Sequence, residues 1–372
     1  MGAVVFAAAI AISACQVNPA AQTDPAYSRI TGLGSYLSPT NDKVVNITPM
    51  ATNISYAPTA TTSPDYNNPE MKFDLYAPPT GMMHPVLVYF HGGGYSGGSK
   101  AAAEIVAPVK EMVARGFVVV SANYTLNAGL RNKPATKPIS DGKRLVKYLK
   151  AIAQLNGSIS LWDPAKIYVA GISAGAHLAS AIGMTPGRWE GADTDLTRWD
   201  STVAGVVGFQ TPYDFDQMKS WAKSHRGTVE SNIVYGSLLN WIGCDLFAAS
   251  TLVSSCDRPN FVAKLAEVDL RNYVATSPLA TSFYLVTGTS DLVVQSIPNG
   301  SAMSTAIDNR FDTAGNQIKR AMWTDIPGAT HLYGLTGATQ ITGLAPYHSI
   351  NMELFETFLG CRTDTAGTQM FC

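Results

Sequence analysis

Apolar strand runs alternating with helix-period segments predict an α/β chain, built on a mostly parallel central sheet with helices on both faces. Three observations carry that expectation. Residues 86–90, 117–122 and 167–170 are short, nearly continuous apolar runs, the pattern of strands buried on both sides. Residues 102–115 and 139–154 place apolar side chains at helical spacing between them. Two of the runs end in glycine-framed turns, His91-Gly92-Gly93-Gly94-Tyr95 and Gly171-Ile172-Ser173-Ala174-Gly175, where a strand hands over to the next element.

In chain order, residues 1–15 read as a leader, and residues 16–69, rich in Thr, Pro, Asn and Ala, as an N-terminal extension, a tether followed by irregular edge structure. The packed domain is expected over 70–372. Its first strand falls at 71–76, followed by 86–90, a helix over 102–115, 117–122, a helix over 139–154, 167–170 and a helix from Ala174. Later strands fall at 203–209, 283–287 and 322–326, with a last helix at 350–359. Between about 211 and 280 the rhythm breaks, and Trp221, Tyr235, Leu238, Trp241 and Phe247 occur with little strand signal. Such an insertion lies beyond the C-terminal ends of the strands, where α/β ligand sites form. It is expected to be a cap over the site; a decoration remote from the site is the alternative.

Composition narrows the partners. Of 372 residues, 46% are hydrophobic and only 14% charged, against about 25% charged in ordinary soluble chains. A net charge of −1 without a basic tract excludes nucleic acid as an expected partner. Residues 1–14 are uncharged and mostly apolar, too short to span a bilayer but suited to a secretory signal. Ile12-Ser13-Ala14-Cys15 resembles a bacterial lipobox, which would make Cys15 the lipid-bearing residue of an exported, membrane-tethered chain; no Lys or Arg precedes the apolar run, and a simple signal cut nearby is the other reading. Cys244, Cys256, Cys361 and Cys372 permit three disulfide connectivities, of which local pairing, 244 with 256 and 361 with 372, closes the shortest loops. No C-x-x-C spacing supports a metal site.

The second glycine-framed turn has the G-x-S-x-G pattern of a nucleophile elbow, and the first the HGGG pattern that supplies oxyanion-hole amides. A serine hydroxyl attacks a carbonyl only when it stands clear of the sheet and a base takes its proton. Ser173 is the candidate nucleophile; a plain helix cap is the bland alternative. The Ala174 amide opens the following helix, and the amides of Gly92 and Gly93 can approach a substrate closely, so these three are the candidate oxyanion donors. Chain order Ser, acid, His places the base late. His331, in the loop after strand 322–326, leads; His348 is the runner-up. His91 reads as an anchor of the glycine loop, and His177 as a packed helix residue. Asp291, just past strand 283–287, is the expected acid, ahead of Asp325, Asp308 and Asp312; Asp141 reads as a residue ordering the loop before it. Tyr95 and Tyr213 are candidate pocket residues.

With these residues in place, the chain resembles the α/β-hydrolase family, and within it the HGGG-type carboxylesterases related to hormone-sensitive lipase and to bacterial feruloyl or acetyl-xylan esterases. Further markers are Phe73-Asp74-Leu75-Tyr76-Ala77-Pro78, Ser121-Ala122-Asn123-Tyr124, Asp163-Pro164 and Ala176-His177. The resemblance spans about 71–359 and implies the α/β-hydrolase fold, a Ser173–Asp291–His331 triad, oxyanion amides from Gly92, Gly93 and Ala174, no cofactor, and carboxylic-ester substrates. Ile172 stands where many relatives carry an acidic residue, and Ala176 where Gly is frequent. The expected protein is an exported serine hydrolase cleaving short- to medium-acyl esters, small or polymeric, through an acyl-enzyme. Amide cleavage by the same fold is the second reading, and a non-catalytic binding protein the third.

Overall fold

Runs of Val, Ile and aromatic residues buried on both faces favour strands that stack side by side beneath helices. The computed structural model describes residues 48–331 apart from 79–82, 103–111, 114–115, 128–132, 157–159, 192–194, 247–254, 312, 316, 318–319 and 327. They form an eight-stranded sheet from β1 (Ala51–Ser55), β2 (Lys72–Tyr76), β3 (His84–Phe90), β4 (Val118–Ala122), β5 (Trp162–Ile172), β6 (Gly205–Phe209), β7 (Ser282–Gly288) and β8 (Ala321–Ile326). The order is β1-β2-β4-β3-β5-β6-β7-β8. β1 and β2 are antiparallel to their neighbours, and every later pairing is parallel. The central strands β3 and β4 are almost wholly buried, as their unbroken apolar character requires.

The helices are α1 (Lys137–Asn156), α2 (Ala174–Met184), α3 (Phe215–Ser224), α4 (Val229–Trp241), α5 (Pro259–Val268) and α6 (Ala302–Asp308). α1 and α2 pack together so closely that a Cβ at Gly142 would sit 2.7 Å from Leu178 and 2.8 Å from Ile182. Asp141, buried on α1, accepts the Thr125 N–H at 2.8 Å and so orders the loop after β4.

Three expectations need correction. Residues 51–55 lie at the edge of the sheet as expected but are not irregular: they form the strand β1, and behind them Tyr56 is fully buried, its hydroxyl donating to the Asn123 carbonyl at 2.6 Å. A polar edge strand exposes one face and lacks the apolar run that betrays a central one. β5 begins five residues earlier than the apolar pattern predicts, so Asp163-Pro164 lies inside it. Asp308, a lesser candidate for the acid, serves the backbone instead: its carboxylate accepts the N–H groups of Arg320 and Ala321 at 2.9 and 2.8 Å and sets the start of β8. Cys15, His348, Cys361, Cys372, Asp312 and the helix expected at 350–359 lie outside the described residues, as does most of the helix expected over 102–115.

Candidate active site

Ser173 occupies the junction of β5 and α2 with φ 54° and ψ −120°. A non-glycine residue holds a positive φ only where its surroundings over-determine it. Two glycines permit the turn: a Cβ at Gly171 would lie 2.4 Å from the Gly175 carbonyl carbon, and one at Gly175 would lie 2.2 Å from the Phe90 oxygen. The backbone supplies the rest, with the Ser173 N–H donating to Phe209 at 2.9 Å and its carbonyl accepting the His177 N–H at 3.0 Å. The Ser173 side chain caps no helix N–H.

Its hydroxyl instead lies 3.0 Å from Nε2 of His331. On the far side of that ring, Nδ1 donates to Oδ2 of Asp291 at 2.9 Å. This bond places the ring proton on Nδ1 and leaves the Nε2 lone pair to accept the serine proton. Asp291 is held in turn: its Oδ1 accepts the N–H groups of Val293 and Val294 at 2.9 and 2.8 Å, and its side chain is fully buried. The loops carrying acid and imidazole are bonded to each other, Ser290 N–H to the Ala329 carbonyl and Gly328 N–H to the Thr289 hydroxyl. A third contact was not legible in the sequence. Gln210, immediately after β6 and at φ 51°, donates its side-chain amide to the Thr330 carbonyl at 2.8 Å, beside His331. Only its position at a strand's C-terminal end could have signalled it.

The glycine loop lies against the elbow. A Cβ on Gly92 would be 3.3 Å from the Ile172 carbonyl and 3.7 Å from the Ser173 Cβ. Gly93 and Gly94 hold φ 112° and 58°, and the Gly93 carbonyl accepts the N–H groups of Ser96 and Gly97. His91 anchors the loop from below: its ring stacks on Tyr124 at 4.4 Å and Nδ1 donates to the Gly92 carbonyl at 2.7 Å. Burial lowers the His91 pKa to about 4, so the ring is neutral.

Gly92, Gly93, Ser173, Ala174 and His331 share one cavity of about 340 Å³. Its other walls come from the insertion after β6, through Pro212, Phe215 and Met218 about α3 and through Ile233, Val234, Leu238 and Trp241 of α4. Tyr95 lines the cavity. Tyr213 does not: its ring is fully buried and its hydroxyl pairs with Ser180 at 2.7 Å, so its neighbour Pro212 lines the cavity in its place. Behind the wall, the sulfurs of Cys244 and Cys256 stand at bonding distance, 2.13 Å. Among the described residues no group of three or more His, Cys, Asp or Glu is arranged to hold a metal ion, and no helix is long and apolar enough to cross a membrane.

A strained serine between strand and helix, in a mostly parallel sheet with acid and imidazole on later strand ends, defines an α/β-hydrolase. The chain belongs to the BD-FAE family, a family of α/β-hydrolase esterases, whose model matches residues 73–295. Over 102 residues it is 34% identical to juvenile hormone esterase of Heliothis virescens, a match spanning 27% of this chain and 18% of that protein. Among solved structures, a truncated carbohydrate esterase from gut microbiota aligns with a TM-score of 0.55 at 21% identity, over 82% of this chain and 94% of that one. The apo form of Thermogutta terrifontis esterase 2 aligns with a TM-score of 0.53 at 20% identity, over 77% of this chain and 89% of that one. At these identities the structural likeness concerns the fold.

Proposed function

We propose that this chain is an exported serine carboxylesterase that cleaves short- to medium-acyl esters through an acyl-enzyme. The observation that carries the reading is the continuous path from Ser173 Oγ to His331 Nε2 at 3.0 Å and from His331 Nδ1 to Asp291 at 2.9 Å. In acylation, Oγ bonds to the ester carbonyl carbon while its proton passes to Nε2, and Asp291 stabilises the imidazolium. The carbonyl oxygen becomes an oxyanion facing the amides of Ala174, Gly92 and Gly93. One such donor contributes about 3 kcal/mol to transition-state stabilisation. Collapse of the tetrahedral centre expels the alcohol, which takes the proton from Nε2. Water then enters, gives a proton to the same nitrogen and attacks the acyl carbon; collapse returns that proton to Ser173 and releases the acid.

The largely apolar cavity of about 340 Å³ suits a small or medium acyl group, and its cap walls confine a long chain. The carbohydrate esterase among the structural neighbours supports acylated saccharides as one polymeric form of the substrate. Export, with a lipid on Cys15 as membrane tether, is supported by the apolar leader and by the Cys244–Cys256 pair, since disulfides persist in oxidising compartments. The test is a panel of p-nitrophenyl esters of rising chain length, with feruloyl esters, acetylated sugars and matching anilides, run beside Ser173→Ala. Ester turnover lost in the variant is the expected result. Turnover of anilides alone, or no labelling of the folded protein by a fluorophosphonate, would overturn the reading.

A further inference from the structure

Tyr95 follows three glycines yet itself holds φ 59° while only 2% exposed. An aromatic residue keeps that conformation only where its surroundings impose it. Here the surroundings come from three directions. The Tyr95 hydroxyl donates to Nδ1 of His177 at 2.7 Å, and its carbonyl accepts the Asn127 N–H at 2.8 Å. The indole of Trp241 stacks on its ring at 4.4 Å.

His177 lies one turn along α2 from Ser173 and gives its backbone N–H to the Ser173 carbonyl. Its Nε2–H donates to the Val268 carbonyl at the end of α5, at 2.9 Å. With that proton on Nε2, Nδ1 is an acceptor, which suits the tyrosine hydroxyl. Trp241 ends α4, lines the cavity, and donates its indole N–H to the Ala135 carbonyl at 2.8 Å. The glycine loop, the nucleophile helix and the cap therefore meet at one tyrosine and one imidazole.

We propose that Tyr95, His177 and Trp241 are positioning residues that align the oxyanion loop with the Ser173 elbow and make that alignment depend on the cap. The inference rests on the reading of Ser173 as nucleophile and of the loop amides as oxyanion donors. Removing the Tyr95 hydroxyl leaves Nδ1 of His177 without its donor and loosens the residue that ends the glycine run. Oxyanion contacts act on the transition state rather than on bound ester, so misalignment lowers kcat and leaves KM largely unchanged.

The test is Tyr95→Phe, with steady-state kinetics on a short p-nitrophenyl ester and affinity for a trifluoromethyl ketone that mimics the tetrahedral intermediate. We expect kcat and ketone affinity both to fall about 10-fold or more, with KM within about twofold. Tyr213→Phe is the control: it removes an equally buried hydroxyl, bonded to Ser180 of the same helix at 2.7 Å but away from the loop, and leaves kcat unchanged. An equal loss in both variants, or unaltered kcat or ketone affinity in Tyr95→Phe, overturns the proposal. Should Tyr95→Phe fail to fold, Trp241→Phe carries the same expectation and the same overturning result. Turnover retained by Ser173→Ala would instead strike the nucleophile reading, so the two failures are distinguishable.

Discussion

His331 stands 158 residues beyond Ser173 in sequence and 3.0 Å from it in space, its opposite nitrogen held by a carboxylate at 2.9 Å. The relationship sets a graded expectation. Asp291→Asn keeps the shape but lets the imidazole adopt the wrong tautomer, and kcat falls about 10⁴-fold. Ser173→Ala loses turnover altogether. Circular dichroism unchanged in both, with activity retained in neither, is the expected outcome; an Asp291→Asn enzyme within tenfold of the parent would remove the acid from the relay.

A side chain at Gly94 would be strained for two reasons acting together. Its φ is 58°, and a Cβ there would fall 2.2 Å from the Ser237 hydroxyl on α4. Gly94→Ala is expected to lower kcat/KM about 10- to 100-fold by displacing the adjacent amides. Adding Ser237→Gly relieves the contact but not the backbone strain, so the double variant recovers part of the loss. A double-mutant cycle measures this coupling, and strictly additive effects would show that the two residues do not press on each other.

Met218 lines the cavity from α3. Met218→Trp fills part of it, so kcat/KM for a hexanoyl ester is expected to fall about 10-fold relative to the acetyl ester, a discrimination of the size that hydrophobic pockets provide. Equal effects on both chain lengths would place the acyl group elsewhere.

Stability should depend on pH through two imidazoles. Burial takes both His91 and His177 from 6.5 to about 4. Between those values the unfolded chain binds more protons than the folded one, so unfolding free energy rises with pH. The stability is complete above about pH 6.5 and is lost as pH falls towards 4. Urea midpoints at pH 7 and pH 5 test this, and a midpoint that does not drop at pH 5 contradicts it.

Cys256→Ser opens the pair that closes a 12-residue separation in the insertion. Loss of a crosslink of that loop size costs about 3 kcal/mol. We expect faster proteolysis of the insertion under mild protease, with the sheet unaffected. Cleavage at the parent rate would show that the pair contributes no restraint there.

Local pattern was enough to locate the central strands, the elbow at Ser173 and the glycine loop, because a buried parallel strand needs an unbroken apolar run and its terminal turn needs glycine. The order of chemistry along the chain then pointed to Asp291 and His331 at later strand ends, where the structure brings the two side chains together with Ser173. Periodicity could not reveal β1, whose polar edge buries little, nor show that Pro212 rather than Tyr213 faces the cavity. The Gln210 amide on the Thr330 carbonyl, and the meeting of Tyr95, His177 and Trp241, were equally hidden. These are decided by which way side chains leave irregular backbone and by contacts between segments distant along the chain. Such contacts exist only once the sheet has brought the strand ends to one edge.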